Sequence, residues 1–281
     1  MKSKRFKKIA EENVIPVNPV PVADASSINA EFPFGTVTFG NAQDQGRRNY
    51  QEDSFGFSDI SLVQKGILAV LADGMGGLKD GKAVSSATVS GILDKFNRKP
   101  DAVTTGATLR NLIAEVNIPI CDTYCSDGTI SSGSTVVTAH INNGYLHWAC
   151  VGDSRLYIKR HGRLYQINED HDYLNQLLDI VIAGKLTVED AYDNVQKDSL
   201  AACIGKRDLQ SFDYSKRGYA LEKGDIVVLC SDGIYNALSV QEMCDNITEE
   251  AMPSCERIIS LVASKGIPHQ DNNTIIVMSY R

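Results

Sequence analysis

Acidic side chains recur where short apolar runs end. Asp73 follows Leu71-Ala72 and precedes Gly74, and Asp232 follows a Val-Val-Leu-Cys-Ser run and precedes Gly233. Asp153 closes another apolar run, Asp271 stands just before the last one, and Glu52 and Asp53 follow Arg48 near the first. A strand end beside glycine lets a side chain project from a rigid sheet into a cleft and leaves a carbonyl accessible. Carboxylates brought together there repel one another unless a cation neutralises them. All-oxygen ligation suits a hard divalent ion, Mn²⁺ or Mg²⁺. Taken singly, each Asp-Gly also fits an ordinary turn. The repetition after apolar runs is what points to a metal site.

Other chemistries fit the sequence less well. Gly74-Met75-Gly76-Gly77 has neither the G-x-G-x-x-G spacing of a dinucleotide loop nor the Lys-Ser/Thr ending of a P-loop. The histidines at 140, 147, 161, 171 and 269 show no H-E-x-x-H spacing, and no G-x-S-x-G elbow offers a serine nucleophile. Cys230 lies in an apolar run and reads as a buried, inert thiol. The seven cysteines are irregularly spaced, which implies reduced cytoplasmic thiols and neither a zinc pair nor a disulfide framework.

The elements that must position these carboxylates are mostly short strands. Gly66–Ala72 and Ile226–Cys230 are continuous apolar runs, expected as strands buried on both faces. Further strands are expected over Thr36–Gly40, Ser134–Ile141, Tyr145–Val151, Arg155–Lys159, Arg163–Ile167 and Thr274–Tyr280. Asn142-Asn143-Gly144 and His161-Gly162 supply tight hairpin turns. Helical spacing covers Lys82–Phe96, Val103–Tyr124, Asp172–Ala183, Thr187–Val195 and Glu250–Ser264, with Gly184 as a stop and Pro253 restricting the start of the last. Strands that neighbour one another in sequence, with helices between groups, predict an antiparallel α+β fold.

A chain of 281 residues is one large domain or two small ones. No linker or repeat interrupts it after residue 35, so residues 35–281 are expected as one domain. Residues 1–34 differ. Lys2, Lys4, Arg5, Lys7 and Lys8 open them, and Pro16, Pro19 and Pro21 follow, which reads as a flexible basic arm. With 43% hydrophobic and 22% charged residues the composition is that of a globular protein. Lys plus Arg is 28 against 35 Asp plus Glu, and a charge of -7 argues against a general nucleic-acid binder. No apolar run is long enough for a membrane span, and no signal-peptide core is evident.

Eight blocks, in order, resemble the metal-dependent serine/threonine protein phosphatases, the PPM or type 2C family, in their compact bacterial form. They are RRNYQED (47–53), LADGMGGLKDG (71–81), GSTVV (133–137), VGDSRLY (151–157), INEDH (167–171), SLAACIG (199–205), LCSDGIY (229–235) and HQDNNTIIV (269–277). One D-G-x-G-G alone would say little; the ordered set spans residues 35–281. The resemblance implies a four-layer α-β-β-α sandwich of two antiparallel sheets flanked by helices, and hydrolysis of phosphoserine and phosphothreonine at a dinuclear Mn²⁺ or Mg²⁺ centre. It implies that Asp73 bridges the metals, Asp232 and Asp271 hold the first, and Glu52 and the Gly74 carbonyl serve the second. Asp53 would hold a water on the metals, Arg48 would bind the substrate phosphate, and Asp153 with Asp232 would take a weak third metal. Phosphorylated proteins, an opposing serine/threonine kinase, a cytoplasmic location and a monomeric state are expected with it.

This chain departs from the family pattern at a few positions. Met75 stands where animal relatives carry His, although bacterial relatives also carry Met, and Leu78 stands where many bacterial relatives have His, so no general acid is assigned. Asn236 replaces an acid often found four residues after the Asp of the S-D-G block. The segment before SLAACIG, usually basic, here reads AYDNVQKDSL and is acidic. Residues 184–198 are therefore expected as a mobile, selective element. The intact Asp73, Asp232 and Asp271 distinguish an active enzyme from a relative that only binds.

Overall fold

The apolar runs on either side of the candidate carboxylates are strands whose two faces are both buried. In the computed structural model, which describes residues 28–32, 35–76, 80–99, 104–126, 129–197 and 199–281, they lie at the centres of two antiparallel sheets. The first sheet runs, in spatial order, β1 (Ile28–Phe32), β2 (Gly35–Asp44), β16 (Asn273–Tyr280), β15 (Ile226–Cys230), β11 (Arg155–Arg160) and β12 (Arg163–Gln166). The second runs β13 (Asp213–Tyr214), β10 (Tyr145–Val151), β9 (Val136–Asn142), β4 (Ile67–Ala72) and β3 (Ser54–Phe57), with β14 (Tyr219–Ala220) also on β10. Two short ribbons, β5 (Gly74–Met75) with β8 (Gly133–Ser134) and β6 (Cys125–Ser126) with β7 (Thr129–Ile130), stand apart.

Alternation along each central strand explains why it reads as an unbroken apolar run. Ile67, Ala69 and Leu71 of β4 pack between the sheets against Val227 and Leu229 of β15 and Ile276 and Met278 of β16. Leu68 and Val70 face the other way, onto α1 (Asp80–Arg98) and α2 (Gly106–Tyr124) through Val84, Ile92, Phe96, Leu109 and Ile113. The outward residues of the first sheet, Ile226, Val228, Ile275 and Val277, meet α6 (Val240–Asn246) and α7 (Ala251–Ser264) through Met243, Ile258 and Val262. The result is the expected order of helices, sheet, sheet, helices. Fully burying an aliphatic side chain is worth about 1.5–3 kcal/mol. Three stacked apolar layers therefore make the strand ends a stiff platform.

Both predicted hairpin turns form. Asn143 (φ 52°) and Gly144 (φ 76°) join β9 to β10, and His161 (φ 50°) and Gly162 (φ 75°) join β11 to β12. Two positive φ angles in a two-residue loop match the twist of the flanking strands. The remaining helices are α3 (Tyr173–Ile182), α4 (Val188–Tyr192) and α5 (Asp232–Tyr235).

The structure departs from the sequence reading at several elements. Ile28–Phe32, placed within the arm, pairs with β2 from Ile28↔Phe39 to Phe32↔Gly35; residues 1–27 lie outside those described. The strand expected over Thr36–Gly40 continues to Asp44, because β16 pairs with it along its length. Helix α6 was not expected, although Ser239 and Glu242 form a reciprocal capping box at its start, a spacing that sequence can reveal.

His140, buried on β9, donates from Nε2 to the Lys65 carbonyl at 2.6 Å, and among the described residues its Nδ1 has no partner. Burial pushes this imidazole down from 6.5 to about 4. The unfolded chain therefore takes up the proton first, and stability contributed by the neutral ring is lost as pH falls from about 6.5 towards about 4, on the order of 3 kcal/mol in all. Chemical denaturation from pH 7 to pH 4 should show a steeper loss in wild type than in His140→Gln, which keeps a donor for the carbonyl. Equal slopes would rule out this residue as the source.

Candidate active site and metal centre

The strand ends open into one cleft of about 240 Å³, lined by Arg48, Glu52, Asp73, Gly74, Met75, Gly76, Thr135, Asp153, Leu200, Asp232, Asp271 and Asn272. Every expected site residue lines it except Asp53. Asp73 follows β4, Asp232 follows β15 and opens α5, Asp271 precedes β16, and Asp153 lies between β10 and β11. The two sheets thus deliver carboxylates to one point from opposite sides.

Asp53 is fully buried beneath the cleft. Its Oδ2 accepts from Ser231 Oγ at 2.9 Å and Thr274 Oγ1 at 2.6 Å. Thr135 Oγ1 accepts the Asp73 amide at 3.0 Å, while the Thr135 amide and the Ser134 hydroxyl both donate to the Asp73 carbonyl at 2.8 Å. These bonds fix the backbone of Asp73 and leave its carboxylate to the cleft. Gly74 is pinned as well, since a Cβ there would stand 2.3 Å from the Gly81 carbonyl oxygen and 2.7 Å from that of Glu52.

The loop carrying Arg48 and Glu52 is stapled by one amide. Asn272 donates from Nδ2 to the carbonyls of Gln45 and Tyr50, both at 2.9 Å, and its Oδ1 accepts the Glu52 amide at 2.7 Å. Gly46 (φ 64°) makes the turn, where a Cβ would collide with the Asp271 carbonyl oxygen at 2.2 Å. Asn272, Ser231, Thr274 and Thr135 were not singled out from sequence. They lie inside the quoted blocks, which is the only signal that could have found them.

The electrostatics are those of a site missing its counter-charge. Burial pushes the Asp73 carboxyl well up, and Asp53, Asp232, Asp153 and Asp271 push it further. Asp232 is raised to about 7 by burial and by Asp153, Asp271 and Asp53. Asp153 is raised to about 6 by burial and then Asp170. Asp53 and Glu52 are also raised, mainly by burial. Among the described residues, Glu52 Oε1, Asp53 Oδ1 and Asp232 Oδ1 are buried with no hydrogen-bond partner. Buried polar atoms of a folded protein are ordinarily satisfied, so these oxygens fit ligation by hard cations. Among the described residues no three such side chains are already drawn in around a single ion position; the oxygens line a shared cleft.

Arg48 is the cation in that lining and pairs with Asp271 Oδ2. Both side chains are partly open to solvent, at 55% and 34% exposure, which makes the pair a labile one. Arg47 is turned to solvent, while its amide donates to the Gln270 carbonyl at 2.8 Å. Over one wall stands the acidic segment. Helices α3 and α4 pack on each other, and the excursion is tied at its base by Tyr173 N to Ser199 O and Ala201 N to His171 O, with Leu200 reaching the cleft. Ile182 and Val195 on this excursion are 83% and 98% exposed.

Residues 45–270 match the model of the protein phosphatase 2C family. The chain belongs to that family. It is 28% identical over 243 residues to the serine/threonine phosphatase stp of Listeria welshimeri, covering 84% of this chain and 92% of that one. Its fold is similar to that of the S. agalactiae serine/threonine phosphatase, with a TM-score of 0.74, 27% identity, and coverage of 87% of this chain and 100% of the other. It is also similar to the catalytic domain of the phosphatase PstP solved in complex with two manganese ions, with a TM-score of 0.67, 25% identity, and coverage of 87% and 98%. The protein is a serine/threonine phosphatase of the 2C type, a family that depends on metal. No helix among the described residues is long and apolar enough to cross a membrane.

Arg48 and Arg47 make a paired test. An exposed ion pair contributes about 0–1 kcal/mol, so Arg48→Ala should raise KM for a small aryl phosphate about tenfold while the melting temperature moves by no more than a few degrees. Arg47→Ala should change neither. Unchanged KM in Arg48→Ala would remove the phosphate-binding role, and a large loss of stability would make the arginine a structural partner of Asp271.

Proposed function

We propose that this phosphatase hydrolyses phosphoserine and phosphothreonine in cytoplasmic proteins, opposite a kinase, at a dinuclear Mn²⁺ or Mg²⁺ centre. The supporting observation is the set of buried, unpartnered carboxylate oxygens on Glu52, Asp53 and Asp232 around the raised carboxyl of Asp73. In this reading Asp73, Asp232 and Asp271 would hold one ion, and Asp73, Glu52 and the Gly74 carbonyl would hold the other. When bound, such ions supply positive charge to the phosphoryl oxygens and lower the pKa of water.

The chain's own groups do the rest. Arg48, released from Asp271, offers a planar fork to two phosphate oxygens. Asp53, clamped through Oδ2, keeps Oδ1 to orient water from below the cleft. Met75, which lines the cleft, has no proton to give the departing alkoxide. No side-chain nucleophile is needed, and among the described residues no Ser or Cys lines the cavity.

Removing a bridging charge separates function from stability. Asp73→Asn should lower turnover of a phosphopeptide more than 100-fold in saturating Mn²⁺, while its metal-free form melts no lower than wild type, because buried repulsion is relieved. Excess chelator should bring wild type to the same activity. Turnover within a few-fold of wild type in either case would refute the metal mechanism.

The acidic excursion should set substrate preference, since loops on a rigid scaffold carry recognition. Glu189 and Asp193 are exposed on it. Glu189→Lys with Asp193→Lys should shift the kcat/KM ratio of acidic-flanked over basic-flanked phosphopeptides upward by about threefold, at roughly 0.3–0.5 kcal/mol per exposed charge, and the shift should fade in high salt. A ratio that stays put at low salt would count against recognition by this segment.

A further inference from the structure

Behind the cleft, the first turns of α1 grip the segment that carries Glu52 and Asp53. Lys82 is half-buried there and donates from Nζ to the Asp53 carbonyl at 2.5 Å and to Ser54 Oγ at 3.0 Å. Gln43 adds a longer bond from Nε2 to the same carbonyl, at 3.3 Å. Ser85 Oγ, one turn on, donates to the Glu52 carbonyl at 2.5 Å and lies 2.9 Å from Ser54 Oγ. With the Ser85 proton so committed, Ser54 is the donor between those two hydroxyls, and its oxygen accepts from Lys82 and from Ser86 at 3.0 Å. The lysine thus holds one carbonyl directly and the preceding one through two hydroxyls. Its chain neighbour Gly81 lies closer still to the site. A Cβ on Gly81 would stand 2.4 Å from Glu52 Oε1, and one on Gly74 would stand 2.3 Å from the Gly81 carbonyl oxygen. Glu52 and Gly74, proposed above to serve the same ion, therefore meet across Gly81.

We infer that Lys82 is a positioning residue for the metal centre: it fixes α1 against the Glu52-Asp53 segment and so sets the affinity for the ion that Glu52 and the Gly74 carbonyl would hold. Glu52 Oε1 is buried with no hydrogen-bond partner among the described residues, so its place is set by its backbone and by Gly81, and Lys82 anchors both. Bonds from an ammonium are charge-assisted and roughly twice as strong as neutral ones. Lys82 lines no part of the cleft and touches neither substrate nor reacting atoms. Its charge and its bonds act on a metal in opposite directions. A fixed cation repels an incoming one, so a lysine that served only as a counter-charge to the acidic cluster would weaken metal binding, and its removal would tighten it. A lysine that orders a ligand strengthens binding, because ordering no longer has to accompany the metal's arrival. Its removal weakens it.

The inference rests on the two-metal reading above, and one titration separates the two. Free Mn²⁺ would be measured by electron paramagnetic resonance against the full chain, up to millimolar metal. Wild type should bind two ions. In Lys82→Met one of them should bind about tenfold more weakly, as when a group that orients a ligand is lost, and the other should keep its affinity. Ser54→Ala keeps the lysine and removes only the relay to Ser85, so it should weaken the same ion by a smaller factor, about threefold. At saturating Mn²⁺, Lys82→Met should keep the wild-type KM for a small aryl phosphate. Unchanged or tighter binding of both ions in Lys82→Met would overturn the inference and leave the two-metal reading standing. An equal weakening of both would do the same, since it marks a general loosening of the fold. If Lys82→Met does not fold, Ser54→Ala decides alone, and wild-type affinity for both ions there would overturn the inference. Fewer than two ions in wild type would overturn the two-metal reading and this inference with it.

Discussion

Like charges held together in a dry place are the constraint on which this molecule depends. Asp53 is buried and Asp73, Asp153 and Asp232 are half-buried, each with its carboxyl raised first of all by desolvation. Such an arrangement opposes folding, and it persists only where the surroundings overdetermine it. Three apolar layers do that here. Every central strand is packed on both faces, so the strand ends cannot splay to relieve the repulsion.

The site divides into a rigid half and a yielding half. Asp53 and Asp73 are fixed by four hydroxyls: those of Ser231 and Thr274 donate to one Asp53 oxygen and leave the other without a partner, that of Ser134 donates to the Asp73 carbonyl, and that of Thr135 accepts the Asp73 amide. A metal site needs this, because ligands that reorganise on binding lose affinity to their own ordering. Arg48 and Asp271 are partly solvated, and the guanidinium rests on that carboxylate in an open ion pair. The excursion over α3 and α4 buries little beyond Leu177 and Ala191, so it is the part of the molecule with the least to hold it in one place.

Most of the architecture was legible because its signals are local. The unbroken runs of β4 and β15 are two-sided burial written as composition. Asn143-Gly144 and His161-Gly162 are turns written as backbone freedom. Where the reading failed, the signal was short or overshadowed by its neighbours. β1 alternates Ile28, Ala30 and Phe32 with Asn29 and Glu31, but this brief pattern follows a proline-punctuated stretch and pairs with β2 alone. β3 is four residues, two of them small or polar. The exception is α6, whose capping box was present in the sequence and passed over. The carboxylates of the cleft were found because each ends an apolar run. The depth of Asp53 could not be, since its hydroxyl partners lie 178 and 221 residues away.

Asn272 shows why a site is harder to read than a fold. Its type says only that an amide follows Asp271. Its three bonds to Gln45, Tyr50 and Glu52 reach more than two hundred residues back along the chain. They couple the loop that carries Arg48 and Glu52 to the segment that carries Asp271, so that these three side chains are held as one body. A shorter side chain would leave three backbone groups without partners, and a charged one would bring a sixth carboxylate or a cation into the cleft. The amide meets both demands, offering donors and an acceptor while adding no charge where charge is already in excess.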